Sequence, residues 1–510
     1  MILTQIILVL FFGGILAWKV EAYRTGSAKW LSIIAIVFAF ALLLQFASTN
    51  HQIFEQYLEL MNVPWIPSFG ISYAVGIDSL SFILIALTLL LALICVLVSW
   101  HEITTNVGFY YFNLMASIAG IVGVFCATDL FLFFFFWEVM LLPMTALIAI
   151  WGHEHRHYAA IKFFIFTQVS SLLMLIAIVA LALIHQQQTG QLSFNYFVLQ
   201  QLVINDDVEF YLMLGFFIAF AVKLPSIPFH TWLPDAHTQA PTAGSVLLAG
   251  VLLKTGAYGL IRFVLGLFPE ASLEFANVAS WLGVFSILYG AKLAFAQTDF
   301  KRLVAYSSIS HMGFVMLALF SFESIAYHGA ILTLVAHGLS SAALFAMAGM
   351  IYSRLHSRDL SLMGGLFVSA PRMGGMLLAF VAAAFGLPGL VNFVGEFLSL
   401  TGSFKVFPLQ VIFAALGLIG SAIYGMYLFQ QSFQGEVKAK VTDLGQRELL
   451  ICASLLLLLV LFGLFPELIL NHFEHQYAFF NSDILGNHIN GSDIIAVFAN
   501  FQLTGMEKLS

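Results

Sequence analysis

Residues 220–241 read FAVKLPSIPFHTWLPDAHTQAP, an apolar run that reaches Lys223 and then meets Pro225, Pro228, Pro234 and Pro241. Proline lacks the backbone donor and clashes inside a regular helix, so this is a helix that breaks. The residues leading into it are apolar enough for a membrane interior, where an ionised side chain costs about 2.5–3.5 kcal/mol on insertion scales. A lipid-facing helix would not carry such a lysine. Break and charge together point to a polar pathway through the bilayer. The pattern recurs at residues 385–397, FGLPGLVNFVGEF, where Gly386, Pro388 and Gly389 interrupt another apolar run and Glu396 follows eight residues after Pro388.

Working outward, the chain of 510 residues is 61% hydrophobic and 9% charged, with mean hydropathy +0.98. This is the composition of an all-α membrane protein rather than a soluble domain. About fourteen apolar stretches are predicted as transmembrane helices: 2–18, 31–48, 79–100, 109–127, 130–151, 163–185, 209–223, 243–266, 276–297, 303–320, 325–350, 373–403, 409–430 and 449–470. The first lacks a basic leader or a small-residue cleavage site and reads as a retained span. Residues 1–510 form a single membrane domain. The loops 49–77 and 186–208 contain no Lys or Arg and read as short covers, and only the tail after Leu470 is polar enough to lie outside.

Basic residues sort across these spans. Thirteen of the nineteen Lys and Arg, including Lys19, Arg24, Lys29, Lys301, Arg354 and Arg447, fall on one side; Lys405 and Lys508 fall on the other. By the positive-inside rule the first side is cytoplasmic and both termini face outward. Lys223, Lys254, Arg262 and Lys292 lie within spans. The two breaks are five spans apart, an odd number, so their helices run in opposite directions. That is the sign of two inverted five-helix repeats, spans 4–8 (about 109–266) and 9–13 (about 276–430), flanked by spans 1–3 and 14. Irregular backbone at this depth is tolerated only where protein or a water-filled cavity satisfies it.

The buried charges carry the chemistry. Glu138 lies in FLFFFFWEVMLLPM, with no other ionisable group after Asp129. Desolvation and a nearby ammonium act on a carboxyl in opposite directions, which makes either a protonation switch or a static ion pair between helices. Lys223 and Lys254 are candidate partners, because lysine can release its proton when desolvated. Lys254 is mid-span in LLAGVLLKTGAYGLIRF, whereas Lys292 and Arg262 are near enough to span ends to snorkel. His311 in SSISHMGF and His337 in LVAHGLSSAALF can relay a proton or serve as satisfied core residues. The nearby Ser307, Ser308, Ser310, Ser340 and Ser341 suit either a hydrated path or close helix packing. His230 and His237 read as proton-uptake or capping groups.

Other readings are excluded. Residues 153–157, HEHRH, read as a solvated loop rather than a metal site, and Cys95, Cys126 and Cys452 stand alone as small buried hydrophobes. There is no GxGxxG, GxxxxGK[ST] or CxxC, so no dinucleotide, ATP, metal or redox cofactor is expected here. Energy must come from an ion gradient or another chain. Nucleic acid is not an expected partner; lipid is.

FFFFWEVMLLPM, WGHE, KFFIFTQ, the long run 216–263, FAQTDFKRLVAYSSISHMGFV, AHGLSSAALF and NFVGEF together resemble the antiporter-like membrane subunits of respiratory complex I, the proton-pumping NADH:quinone oxidoreductase. The resemblance covers most of the chain. It implies fourteen helices with two inverted repeats, and a proton-translocation set comprising the pair Glu138 and Lys223, the central Lys254 and an exit residue on the second broken helix. Glu396 at that last position resembles the M type, since the sister chains usually carry Lys there. The resemblance also implies a translocase subunit with no redox centre of its own, driven by quinone reduction elsewhere. Its expected partners are the L- and N-type membrane chains and a peripheral arm holding NADH, FMN, iron–sulfur clusters and quinone, in a bacterial cytoplasmic membrane. Lys292 departs from the usual uncharged residue, and YLFQQSFQG lacks a frequent His-Arg pair. The competing readings are a cation/proton antiporter or membrane-bound hydrogenase subunit, and a scaffold with static charges.

Overall fold

The structure, a computed structural model, describes residues 1–54 and 56–473. Lys508 and the tail beyond residue 473 lie outside the described residues. Helices dominate because, without water, backbone groups must be satisfied within their own segment. Twelve of the described helices are long and apolar enough to cross a membrane. They are α1 (Ile2–Glu21), α2 (Ser27–Thr49), α3 (Ser79–Val98), α4 (Val107–Cys126), α5 (Leu130–Trp151) and α6 (Arg156–Thr189), then α9 (Thr242–Leu267), α10 (Pro269–Phe295), α11 (Phe300–Leu319), α12 (Ser324–Leu355), α15 (Pro408–Phe433) and α16 (Gln446–Leu464). The two remaining expected spans are the broken ones. One comprises α7 (Asp206–Lys223), an irregular stretch and α8 (Trp232–Gln239); the other comprises α13 (Pro371–Ala384), a break and α14 (Val391–Ser403).

Side-chain caps fix several helix starts. Asp78 accepts from the Ser81 amide, Asp129 from those of Phe131 and Leu132, and Asp299 from that of Arg302, each satisfying donors the first turn leaves free. The approaches to α5 and α11 are built alike. The Leu130 amide donates to Phe194 O and the Tyr196 amide to Thr128 O, each at 2.8 Å. Before α11, the Phe300 amide donates to Arg358 O (2.9 Å) and the Leu360 amide to Thr298 O (2.8 Å).

Two features depart from the sequence reading. The outer segment expected as a simple cover contains an antiparallel hairpin, β1 (Leu58–Ile66) paired with β2 (Ile71–Ile77). Pro64, a residue that argues against a strand, lies inside β1, and the register shifts twice along the pair, so no clean alternation announced it. Helix α6 has 34 residues, about 51 Å at 1.5 Å per residue, against the 163–185 expected. It outruns the roughly 30 Å hydrocarbon core.

Both breaks are stabilised locally. After Lys223 the Trp232 indole N–H donates to Val222 O (2.9 Å), the Ser226 amide to Ala221 O (2.9 Å), and Ser286 Oγ accepts from the Ile227 amide (3.0 Å). At the second break the Leu387 amide returns to Ala382 O (3.0 Å), and Gly386 adopts φ +77°, a conformation that suits glycine.

Candidate functional site

A line of buried polar groups crosses the middle of the bundle. Helix α9 contains two π-helical turns, Leu248–Leu252 and Leu260–Val264, and such turns disturb the regular backbone ladder, frequently at functional sites. Lys254 lies just after the first. Its Nζ donates to Ala249 O at 2.5 Å and lies 2.7 Å from His337 Nδ1 on α12. Lys254 is fully buried, and among the described residues no carboxylate lies within 4 Å of its Nζ.

The His337 and His311 rings stand 5.7 Å apart, centroid to centroid. His311 Nδ1 is 2.6 Å from Glu396 Oε1, and its Nε2 is 3.1 Å from the Tyr424 hydroxyl on α15. Glu396 reaches this position because α14 packs tightly on α12: a Cβ at Gly395 would stand 2.7 Å from the Thr333 amide nitrogen. The second break borders the same carboxylate, since a Cβ on Gly386 would lie 3.7 Å from Glu396 Oε2. His337 Nε2 and Glu396 Oε2 are buried without a hydrogen-bond partner in the structure. Lys254, His337, His311 and Glu396 thus come from four helices and meet in chain-remote pairs. Tyr424 belongs to the group and was missed by the sequence reading; a buried tyrosine in an apolar span carries no motif of its own.

The other half is arranged differently. Glu138 Oε1 accepts from Ser171 Oγ on α6 at 2.6 Å. Lys223 Nζ is buried without a hydrogen-bond partner, 5.2 Å above the Trp137 ring and 5.4 Å above that of Phe163. Glu138 and Lys223, the pair implied by the resemblance, form no ion pair within 4 Å here, and the ammonium lies over the Trp137 and Phe163 rings. Cation–π contact compensates part of its desolvation.

Several further expectations need correction. Arg262 does not snorkel; it is buried, ion-paired with the α3 cap Asp78 and set over the Tyr57 ring at 4.3 Å. Lys301, counted with the cytoplasmic loops, is 1% exposed and donates to Ala240 O (2.9 Å) and Ser245 Oγ (3.3 Å). His237 stacks on Phe345 with centroids 4.6 Å apart. Lys292 is exposed. Residues His153–His157 match H-E-x-x-H letter for letter, but His153 precedes α6 in a turn whereas His157 lies in its first turn. They do not share one helical face, and the described residues contain no group that could hold a metal. Burial, followed by the charges of Lys301 and Arg358, holds the His153 imidazole down to about 3.

Residues 127–423 match the family model described as NADH:quinone oxidoreductase/Mrp antiporter, TM. The chain is 48% identical over 487 residues to NADH-quinone oxidoreductase subunit M of Escherichia coli (strain K12), covering 92% of this chain and 96% of that one. The chain belongs to the antiporter-like membrane subunits of NADH:quinone oxidoreductase. Subunit M of Pseudomonas aeruginosa is likewise 48% identical, over 92% of this chain and 96% of its own. A chain of respiratory complex I from Thermus thermophilus superposes with TM-score 0.85 at 31% identity, over 95% of this chain and all of that one. The archaeal membrane-bound sulfane sulfur reductase shares the fold, with TM-score 0.79 at 23% identity over 90% of this chain and 75% of its own. The family segment encloses Glu138, Lys223, Lys254, His311, His337 and Glu396, and stops one residue short of Tyr424.

Proposed function

We propose that this antiporter-like chain moves protons through the Lys254–His337–His311–Glu396 line, as the M-type subunit of complex I, with quinone reduction in partner chains as the driving reaction. The observation that carries this reading is the Lys254–His337 contact of 2.7 Å continued by the His311–Glu396 contact of 2.6 Å. Each contact joins a group that holds a proton to one that can take it. When Lys254 is charged it donates to unprotonated His337 Nδ1; moving that proton leaves a neutral amine still bound to Ala249 O. His311 accepts on one ring nitrogen while releasing from the other, with Glu396 and Tyr424 on its two sides. Glu396, beside the second break, then discharges outward.

Glu138 and Lys223 act as the switch of the first half, the lysine exchanging between the aromatic rings and the carboxylate. The two half-paths correspond to inverted repeats spanning about 109–266 and 276–430. Supporting this are the two helix breaks and the twin backbone corners at Thr128–Asp129 and Thr298–Asp299, which start helices five spans apart. Both termini lie on the outer face of a bacterial cytoplasmic membrane, and L- and N-type chains together with the redox arm complete the assembly. NADH, FMN, iron–sulfur clusters and quinone belong to those partners.

The test is Glu138→Gln in the whole complex reconstituted in vesicles. Assembly is expected to persist while proton pumping coupled to quinone reduction falls severely. Near-normal pumping would remove Glu138 from the mechanism.

A further inference from the structure

At the Lys/Arg-rich face, Arg447 at the start of α16 has both Nε and Nη1 buried without a partner. It lines a cavity of about 490 Å³ together with Trp100, His101, Arg354, Asp443 and Glu448. The two carboxylates there are already engaged. Glu448 is held by both terminal nitrogens of Arg354, at 2.9 and 2.6 Å, and by the Gly445 amide at 2.9 Å. Asp443 accepts from the amides of Arg372 and Met373 at 3.0 Å and of Leu444 at 2.8 Å. Glu448 lies near enough to act on the charge of Arg447, but its oxygens are spent on Arg354 and Gly445, so two guanidinium nitrogens are left without a hydrogen-bond acceptor, which is costly for a polar group out of water.

Trp100 also lines a second cavity, of about 550 Å³, with Arg24, Lys29 and Trp30. Lys29 Nζ donates to Trp100 O at 2.6 Å, which leaves two of its three donors for a ligand. Partial burial, then Arg447 and Lys29, hold the His101 imidazole below its ordinary range. Positive charge is therefore concentrated around Trp100.

Below this site, α3 presents a half-exposed apolar stripe, Phe82, Ala86, Leu90, Leu93 and Leu97, ending at Trp100. The spacing of three and four residues places them on one helical face. The stripe runs between α2 and α16. At the basic end the starts of these two helices line the cavities. At the far end Phe54, which follows α2, packs 5.4 Å from Phe82 and stacks at 4.3 Å on His472, which follows α16. From Phe82 to Leu97 the stripe is about 22 Å long, deeper than one leaflet of a roughly 30 Å hydrocarbon core.

We infer that this groove is a binding site for an anionic phospholipid, its phosphate seated on Arg447 and Lys29 and an acyl chain lying along α3. Guanidinium suits phosphate by its planar donor fork, the tryptophans Trp30 and Trp100 suit the headgroup level, and the apolar stripe gives no purchase to a soluble anion.

The test is lipid retention by the intact respiratory complex, exchanged into nanodiscs of equal phosphatidylglycerol and phosphatidylcholine and read by native mass spectrometry. Phosphatidylglycerol is expected to be retained over phosphatidylcholine, and its retention to fall roughly tenfold in an Arg447→Gln, Lys29→Gln double variant, as expected for lost charge-assisted hydrogen bonds. Leu90→Trp leaves the charges in place, fills the groove and should cause the same fall. Equal retention of the two lipids, or unchanged phosphatidylglycerol retention in either variant, would overturn the assignment. So would displacement by inorganic phosphate, which makes the cavity a soluble-anion site, or quantitative cross-linking of Leu93→Cys to another subunit, which makes the groove a protein interface.

Discussion

Replacing Lys254 with arginine separates a proton relay from a fixed charge. In the structure Lys254 Nζ has two contacts, Ala249 O at 2.5 Å and His337 Nδ1 at 2.7 Å, and both acceptors suit a guanidinium as well as an ammonium. A static charge would therefore survive the exchange. A relay would not, because arginine holds its proton about two to three pK units more tightly than lysine in reference compounds, ~3–4 kcal/mol at 1.36 kcal/mol per unit. Added to the barrier for passing the proton to His337, that slows transfer roughly 10²–10³-fold. Lys254→Ala removes the proton carrier altogether, and Lys254→Gln keeps a polar side chain without charge. The assay is proton uptake into vesicles by the reconstituted complex, at assembly levels matched by native gel. Expected is severe loss in all three variants, with arginine nearly as impaired as alanine. A Lys254→Arg complex that assembles and pumps at the wild-type rate refutes the relay.

Moving the carboxylate of Glu138 by one turn tests its reach, and the structure decides where. Leu142, four residues on, is 58% exposed, so in a Glu138→Ala background Leu142→Glu should recover nothing, whereas Leu141→Glu, on the buried side, should restore part of the vesicle pumping signal; the reverse order would show that the carboxylate does not act from inside the bundle. Tyr424→Phe removes one neutral hydrogen bond from His311 while leaving the ring, and is expected to slow pumping roughly two- to tenfold with normal assembly; an unchanged rate would exclude Tyr424 from the line. For His153, protonation is unfavourable in the closed loop and ordinary in the opened one, so the loop is fully stable above the free-imidazole range near 6.5 and loses stability as pH falls toward the bound value of about 3. The protection factor of the His153 amide, which donates to Gln239 O, that is its exchange rate relative to the free peptide at the same pH, should fall below about pH 6 and do so far less in His153→Asn.

The sequence by itself determined the class of the molecule and most of the residues at its centre. Apolar runs of membrane length and two Pro/Gly interruptions are local signals, and charges at bilayer depth are costly enough that Glu138, Lys223, Lys254 and Glu396 could be singled out one by one. What only the tertiary structure decided is which of them meet. His337 lies 83 positions from Lys254, and Glu396 lies 85 from His311; such pairs form through helix packing, set by close approaches like that of Gly395 to Thr333. The same packing buried Arg262 against Asp78 and Lys301 against Ala240, though both sit near helix ends where their spacing suggested solvent. It also kept Glu138 and Lys223 apart, one on Ser171 and the other over aromatic rings. Cost of burial is written in each residue's own surroundings along the chain, whereas the compensation for that cost comes from other helices, and those partners are fixed only when the bundle closes.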